Sequence, residues 1–285
     1  MRGSLGVFER VSKRPPIARR RSGRGDGVPD SPYPAAMVTD WHFYALAIPA
    51  VALIGLAKGG FAGMGALSLP MLAFVIDPVR AAAILLPILI VQDVVGVWAF
   101  RRSVDWRLLG WMLPGAVFGI WLGYAFAARV PPLGVMAAVG AISMIFGAYR
   151  LWAARRVAAG GAWRWPEWAG SLFGVASGFT SQIAHAGQPP FQLWVLPRGL
   201  SRDMLVGTTA IFFAAVNWIK VPAYAALGQF TRANLLTAAA LMPVAIGSTL
   251  AGVWLVRRIA PERFYAAIYW LMILVGAALI WEAFG

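Results

Sequence analysis

The chain has 285 residues, 60% hydrophobic and only 13% charged, against about 45–50% and about 25% in a typical soluble domain, so a water-soluble fold is excluded and a multi-pass membrane protein is required. The absence of cysteine removes disulfides, iron–sulfur clusters and zinc–thiolate sites, and two histidines, His42 and His185, are too few for a multi-histidine metal centre. The net charge of +14 would suggest nucleic acid in a soluble protein. Here it sits in an N-terminal tail and between apolar runs, so it is a topology signal and no nucleic-acid partner is expected.

Residues 1–36 hold Arg2, Arg10, Lys13, Arg14, Arg19, Arg20, Arg21 and Arg24 among glycine and proline, with no apolar run. Such a segment buries too little surface to offset its chain entropy, and it is expected to be a disordered basic extension. It lacks the apolar stretch of a secretory signal. It is either a basic membrane-surface tail or the product of a misplaced start, because Met37 opens a shorter protein.

From Trp41 onward, apolar runs alternate with short polar joints. A membrane-crossing helix needs about 20 residues. Six runs qualify: 79–100, 106–127, 132–152, 203–226, 233–255 and 262–283. Four others are short or broken. Residues 41–57 run into Lys58-Gly59-Gly60, and 61–76 contain Gly63, Gly65 and Pro70. Residues 167–179 run into the polar stretch TSQIAHAGQPP at 180–190, and 190–197 is too short to span.

The broken pairs recur at matching places. A shift of 119 residues puts Gly55 on Gly174, Ala57 on Ala176, Gly59 on Gly178, Pro70 on Pro189 and Pro78 on Pro197. Farther on, Pro114 and Gly123 match Pro243 and Gly252. The expected fold is all-α and polytopic, with two repeats, 37–152 and 167–285, joined by a cytoplasmic linker at 153–166. Each repeat holds a broken or re-entrant hairpin plus three spans. That is an odd net number of crossings, so the second repeat is inverted, a common transporter construction.

Loop charge sets the orientation. Arg101, Arg102, Arg107, Arg150, Arg155, Arg156, Arg164, Arg198, Arg202, Arg257, Arg258 and Arg263 fall on one side. Arg80, Arg129, Lys220 and Arg232 fall on the other. The positive-inside bias makes the first side cytoplasmic and both termini external, in conflict with the basic tail. Trp106, Trp152, Trp163, Trp165, Trp168 and Trp281 lie near span ends, where indole rings settle at headgroup level.

The candidate site lies at the breaks. Gly55, Gly59 and Gly63 are spaced by four, as are Gly170, Gly174 and Gly178. Such ladders serve close helix packing. They also serve as helix breaks, whose free N–H groups and positive dipole ends cradle anions. Lys58 at the first break, with Gly59 and Gly60, is a substrate or counter-ion residue, a snorkelling lysine, or a partner for Asp93. The second break supplies Ser177, Gly178, Thr180, Ser181, Gln182, His185 and Gln188. Neutral donors with one titratable ring suit an oxyanion, and His185 is either a proton carrier or simply hydrogen-bonded. Gln92 and Asp93 lie mid-run in the third segment, and Asn217 and Lys220 in the corresponding part of the eighth. Asp93 is the only carboxylate well inside a span, and it is either a proton-coupling group or a fixed partner of Lys58 or Lys220.

Enzyme motifs are missing. GGFAGMG at 59–65 does not match the dinucleotide fingerprint, and the sequence has no P-loop and no carboxylate pair for hydrolysis. The residues call for no cofactor and no metal.

GLAKGGFAGMGALSLP at 55–70 and AAAILLPILIVQDVVGVWAFRRSVDWR at 81–107 resemble the sulfite exporter TauE/SafE family, and GTTAIFFAAVNWIKVPAYAALGQF at 207–230 resembles its second-half motif. The resemblance runs from about residue 41 to the C-terminus. It implies a bacterial inner-membrane carrier for small anions such as sulfite, sulfoacetate or related sulfonates, and a start near Met37. Roles carried over to Ser177, His185 and Gln188 rest on position. The expected function is a secondary carrier moving a small anion outward, with protons as the candidate coupling ion. The alternatives are an anion importer or channel, and a non-transporting membrane scaffold.

Overall fold

A computed structural model of the protein describes residues 38–58, 64–158, 165–255 and 262–284. The expected disordered extension at 1–36, the centre of the linker at 153–166, and Gly59, Gly60 and Gly63 lie outside the described residues.

The described residues form helices without strands. In chain order they are α1 (Trp41–Lys58), a 3₁₀ turn (Met64–Leu67), α2 (Ser68–Ala73), α3 (Pro78–Phe100), α4 (Trp106–Ala127) and α5 (Pro132–Ala158). Then come α6 (Ala169–Ala184), α7 (Gln188–Val195), a 3₁₀ turn (Leu196–Arg198), α8 (Arg202–Ala226), α9 (Arg232–Leu255) and α10 (Glu262–Phe284). Local chemistry sets several starts. Asp77 caps α3 by accepting from the Val79 and Arg80 amides at 2.9 and 3.1 Å, with Pro78 opening the helix. Asp105 caps α4 through the Leu108 amide at 3.1 Å, and Ser201 caps α8 through that of Met204 at 3.4 Å.

Six described helices are long and apolar enough to cross a membrane: α1, α3, α4, the 132–152 part of α5, α8 and α9. Tryptophans project from them, among them Trp98, Trp106, Trp218 and Trp254, together with Trp168 and Trp281 near other helix ends. The protein is therefore a multi-pass membrane protein with rings facing lipid and headgroups.

The structure differs from the sequence expectation in two places. The first run, expected to be short, is an unbroken 18-residue helix that takes Pro49 in its interior. The second break is shorter than the polar stretch at 180–190, because α6 continues through Ala184. Its hydroxyls stay within the helix: Thr180 Oγ1 donates to the Ala176 carbonyl at 2.8 Å. Only residues 185–187 interrupt the hairpin, and His185 takes a left-handed conformation at φ 50°.

Hydrogen bonds across the bundle define its two ends. At one end the Asp105 amide donates to Thr208 Oγ1 at 2.9 Å, Arg107 pairs with Glu167 at 2.7 Å, and Trp194 Nε1 donates to the Pro166 carbonyl at 3.1 Å. Arg150 donates to Gln192 Oε1 at 2.5 Å, joining α5 to α7. This end gathers Arg101, Arg102, Arg107, Arg150, Arg198 and Arg202, as the loop charges anticipate. At the other end the Val38 amide donates to Thr237 Oγ1 at 3.2 Å and Arg80 Nε to Asn234 Oδ1 at 3.1 Å. The α1–α2 hairpin starts and returns at this second end, and the α6–α7 hairpin starts and returns at the arginine-rich end.

Glycine seams seat the hairpins. A Cβ on Gly115 or Gly119 of α4 would lie 2.0 Å from the carbonyl oxygen of Ser171 or Val175 on α6. Reciprocally, Cβ atoms on Gly174 and Gly178 would lie 2.2 and 2.1 Å from the oxygens of Met112 and Ala116. The two backbones touch, which in lipid replaces the missing hydrophobic drive with dispersion. Gly119→Val is expected to lower stability by about 1–3 kcal/mol through overpacking. Gly247→Ala on α9, where an added Cβ meets nothing within 4 Å, is expected to be neutral or to gain up to about 1 kcal/mol in helix propensity. Thermal unfolding of both variants in one detergent checks the contrast.

Candidate functional site

The site is built from the two hairpin tips and the middles of α3 and α8. Lys58 is the last residue of α1, and its ammonium pairs with Asp93 Oδ1 of α3. Asp93 Oδ2 accepts from Asn217 Nδ2 of α8 at 2.6 Å. The Lys58 side chain is 10% exposed and that of Asp93 2%. Asp93 lies seven residues before Phe100, the end of α3, which at helical rise is about 10 Å inside the arginine-rich end. A charge at that depth requires a partner, and each of these has one. The Lys58 ammonium also lies 5.5 Å from the centroid of the Phe213 ring, within cation–π range.

His185 forms the second tip. Lys220 Nζ of α8 donates to its Nδ1 at 2.8 Å, and its Nε2 lies 3.0 Å from the Ala82 carbonyl of α3. An ammonium has only donors, so this geometry fits a neutral ring with its hydrogen on Nε2. Lys220 is fully buried and also donates to Ser181 Oγ at 3.2 Å and the Ser181 carbonyl at 3.3 Å. The left-handed backbone at His185 turns the chain toward α3 at this point, so one imidazole ties both core helices to the tip.

Between the tips lies a cavity of about 40 Å³, counted as space open to the centre of a water molecule. On that measure a single water needs roughly 10–15 Å³. Its polar lining comes from Lys58, Ser68, Ser181, His185, Gln188 and Asn217. Its apolar lining includes Ile54, Leu85, Leu89 and Phe213. It is sized for a few waters or one small polyatomic ion.

The structure therefore brings together Lys58, Ser181, His185, Gln188 and Asn217 at the cavity, with Asp93 and Lys220 directly behind them. The other residues singled out in the sequence lie elsewhere. Ser177 Oγ donates to the Gly187 carbonyl at 2.7 Å and braces the turn. Gly178 packs on Ala116, and the Thr180 hydroxyl is held by its own helix. Gln182 sits beside Gly123, and its Oε1 has no hydrogen-bond partner among the described residues. Gln92 reaches the carbonyls of Val51 and Ala245, each at 3.4 Å, and joins α3 to α1 and α9. Gly59 and Gly60 lie outside the described residues. Phe213 and Ser68 line the cavity without having been singled out. Phe213 was within reach of sequence reasoning, since it sits four residues before Asn217 on the same helix face.

A family model described as Sulfite exporter TauE/SafE matches residues 47–279, most of the chain. No curated protein and no solved structure matches it. The match fits the multi-pass helical architecture, and the family is one of membrane transporters.

The ion pair carries a stability signature. Lys58→Met leaves Asp93 buried with Asn217 as its remaining neighbour, and the loss is expected to be about 3–5 kcal/mol. Lys58→Met combined with Asp93→Asn removes both charges and is expected to recover most of it. Unfolding midpoints of the single and double variants in detergent check this. A double variant as unstable as the single one would show that the pair is not the source.

Proposed function

We propose that this chain, which belongs to the sulfite exporter TauE/SafE family, is a secondary carrier that exports a small anion, sulfite or an organosulfonate, across the bacterial inner membrane. The observation that carries the reading is the meeting of two hairpin tips, entering from opposite ends of the bundle, at one small cavity lined by Lys58 and neutral hydrogen-bonding side chains. Lys58 pairs with Asp93 and keeps further N–H donors for an incoming anion, while Lys220 is held by His185 and Ser181. The hydroxyls of Ser68 and Ser181, the amides of Gln188 and Asn217, and the backbone at the tips supply neutral contacts that suit an oxyanion.

In this reading the halves 37–152 and 167–285 are inverted repeats. Supporting it, α1 packs on α9 as α6 packs on α4, and α3 packs on α9 as α8 packs on α4. Exchange of the two halves leaves this pattern unchanged. The arginine-rich end is cytoplasmic, because positive loops stay inside. Transport then consists of rocking the hairpin-bearing pairs against each other around a fixed anion. His185 is the proton carrier in this scheme. Protonation at Nδ1 breaks its bond from Lys220 and adds a charge beside the substrate. No step makes or breaks a covalent bond, so the protein is read as a carrier and not an enzyme.

The test is flux of sulfite and sulfoacetate in vesicles at matched protein level. Unit charges about 4 Å apart at an effective dielectric of about 20 interact by about 4 kcal/mol. Losing even a third of that lowers anion occupancy about tenfold. Lys58→Ala is accordingly expected to reduce flux at least tenfold, and Lys58→Arg to restore part of it, since a planar fork replaces a compact ammonium. His185→Ala is expected to reduce flux less and to flatten its pH dependence. Unchanged flux in Lys58→Ala would remove Lys58 from the site.

A further inference from the structure

A second cavity of about 30 Å³ adjoins the first, and Ala57, Lys58, Gln188 and Phe213 line both. Its remaining wall includes Leu205, Thr209 and Ala210 of α8. Leu205, Thr209, Phe213 and Asn217 recur every four residues, so they form one stripe along α8. The upper part of this stripe lines the second cavity and Asn217 lines the central one, with Phe213 at the junction.

The direction of the stripe is fixed by packing. α8 starts at the arginine-rich end, where a Cβ on Gly207 would lie 1.9 Å from the Ser103 carbonyl oxygen in the α3–α4 turn. The second cavity lies between that end and the tips. The aromatic cluster behind the junction is rigid: Phe191, Phe212 and Phe213 have ring centroids 4.8–5.5 Å apart. Among the three, Phe213 alone reaches both cavities.

We propose that the stripe Leu205–Thr209–Phe213 is the access path from the arginine-rich end to the anion site, and that the Phe213 ring is the constriction that divides path from site. This rests on the carrier reading for what passes through it. The ring blocks a hydrated anion sterically. Its face also holds the Lys58 ammonium, so ring and cation shift together when an anion takes the cation over. Phe213 is thus a positioning and selectivity residue. Thr209 binds its own helix through the Leu205 carbonyl at 2.6 Å, and it marks the path without obstructing it.

The chain contains no cysteine, so single-cysteine variants report position without background. The probe is an impermeant anionic thiol reagent, applied to inside-out vesicles or to spheroplasts. Thr209→Cys is expected to react at least tenfold faster from the arginine-rich face than from the other. Leu89→Cys, which lines only the central cavity, is expected to react slowly from that face. Adding Phe213→Ala should raise its rate there at least tenfold, while Phe213→Leu, which keeps most of the bulk, should leave it within about twofold. Equal rates for Thr209→Cys from both faces, reaction only from the opposite face, or no reaction at all would overturn the path. A Leu89→Cys rate unmoved by Phe213→Ala would overturn the constriction. Labelling requires no substrate. Anion flux that fails while this labelling pattern holds would therefore refute the anion reading and leave the path standing.

Discussion

The organising constraint is the expense of burying the lysine that ends α1. The Lys58 side chain is only 10% exposed. Its charge must be answered where it lies, and Asp93 answers it. Asp93 is in turn held by Asn217, which fixes α8 against α3. The second tip repeats the logic with different chemistry. Lys220 is answered by an imidazole and a serine, not by a carboxylate. Six polar side chains and two hairpins are thereby locked into one arrangement. The two lysines thus differ in kind of partner, a carboxylate for Lys58 and neutral groups for Lys220.

Seating two interrupted helices beside such a cluster demands unusually close backbones. The free carbonyls and amides near a hairpin tip must be covered by protein, because lipid satisfies neither. The α4–α6 seam achieves this by removing side chains altogether at Gly115, Gly119, Gly174 and Gly178. Gly55 does the same on the other side of the molecule, where an added Cβ would lie 1.9 Å from Ser248 Oγ of α9. The glycines that looked like breakers in the sequence thus act as packing surfaces wherever the structure describes them. The α6 break itself is made at His185, whose ring accepts from Lys220 and meets the Ala82 carbonyl.

Much of the fold was legible because membrane helices are long, apolar and bounded by charge. The limits of α3, α4, α8 and α9 agree with the apolar runs to within a residue. The meeting of Lys58 with Asp93, and the gathering of arginines at one end, were also legible from the cost of isolated charge and from loop bias. The end of α6 was not, since polarity alone does not tell a loop from a helix whose hydroxyls bond back to their own carbonyls. Thr180 is polar for that internal reason, and Ser177 bonds forward to the Gly187 carbonyl in the turn. Phe213 was missed because an aromatic in an apolar run looks like any core residue. Its four-residue spacing from Asn217 was the one sequence signal, and contact with Lys58 and the two cavities makes it distinct.

The same cluster explains how a tightly packed bundle holds a site that can exchange its ligand. An ammonium carries three donors, and Asp93 takes one of those of Lys58. In the carrier reading an arriving anion takes another without first breaking the pair, so binding does not pass through a bare buried charge. Full transfer of Lys58 to the anion would leave Asp93 with Asn217 as its described partner, a state that favours the return of Lys58 once the anion leaves. Lys58 sits on the hairpin and Asp93 on a core helix, so each shift of the ammonium between its two partners pulls on the joint between hairpin and core. An anion that binds Lys58 more tightly in one arrangement of that joint shifts the population toward it by its difference in affinity and no more. Coupling between occupancy and shape therefore needs no separate device: it follows from putting the two halves of one ion pair on the two parts that must move.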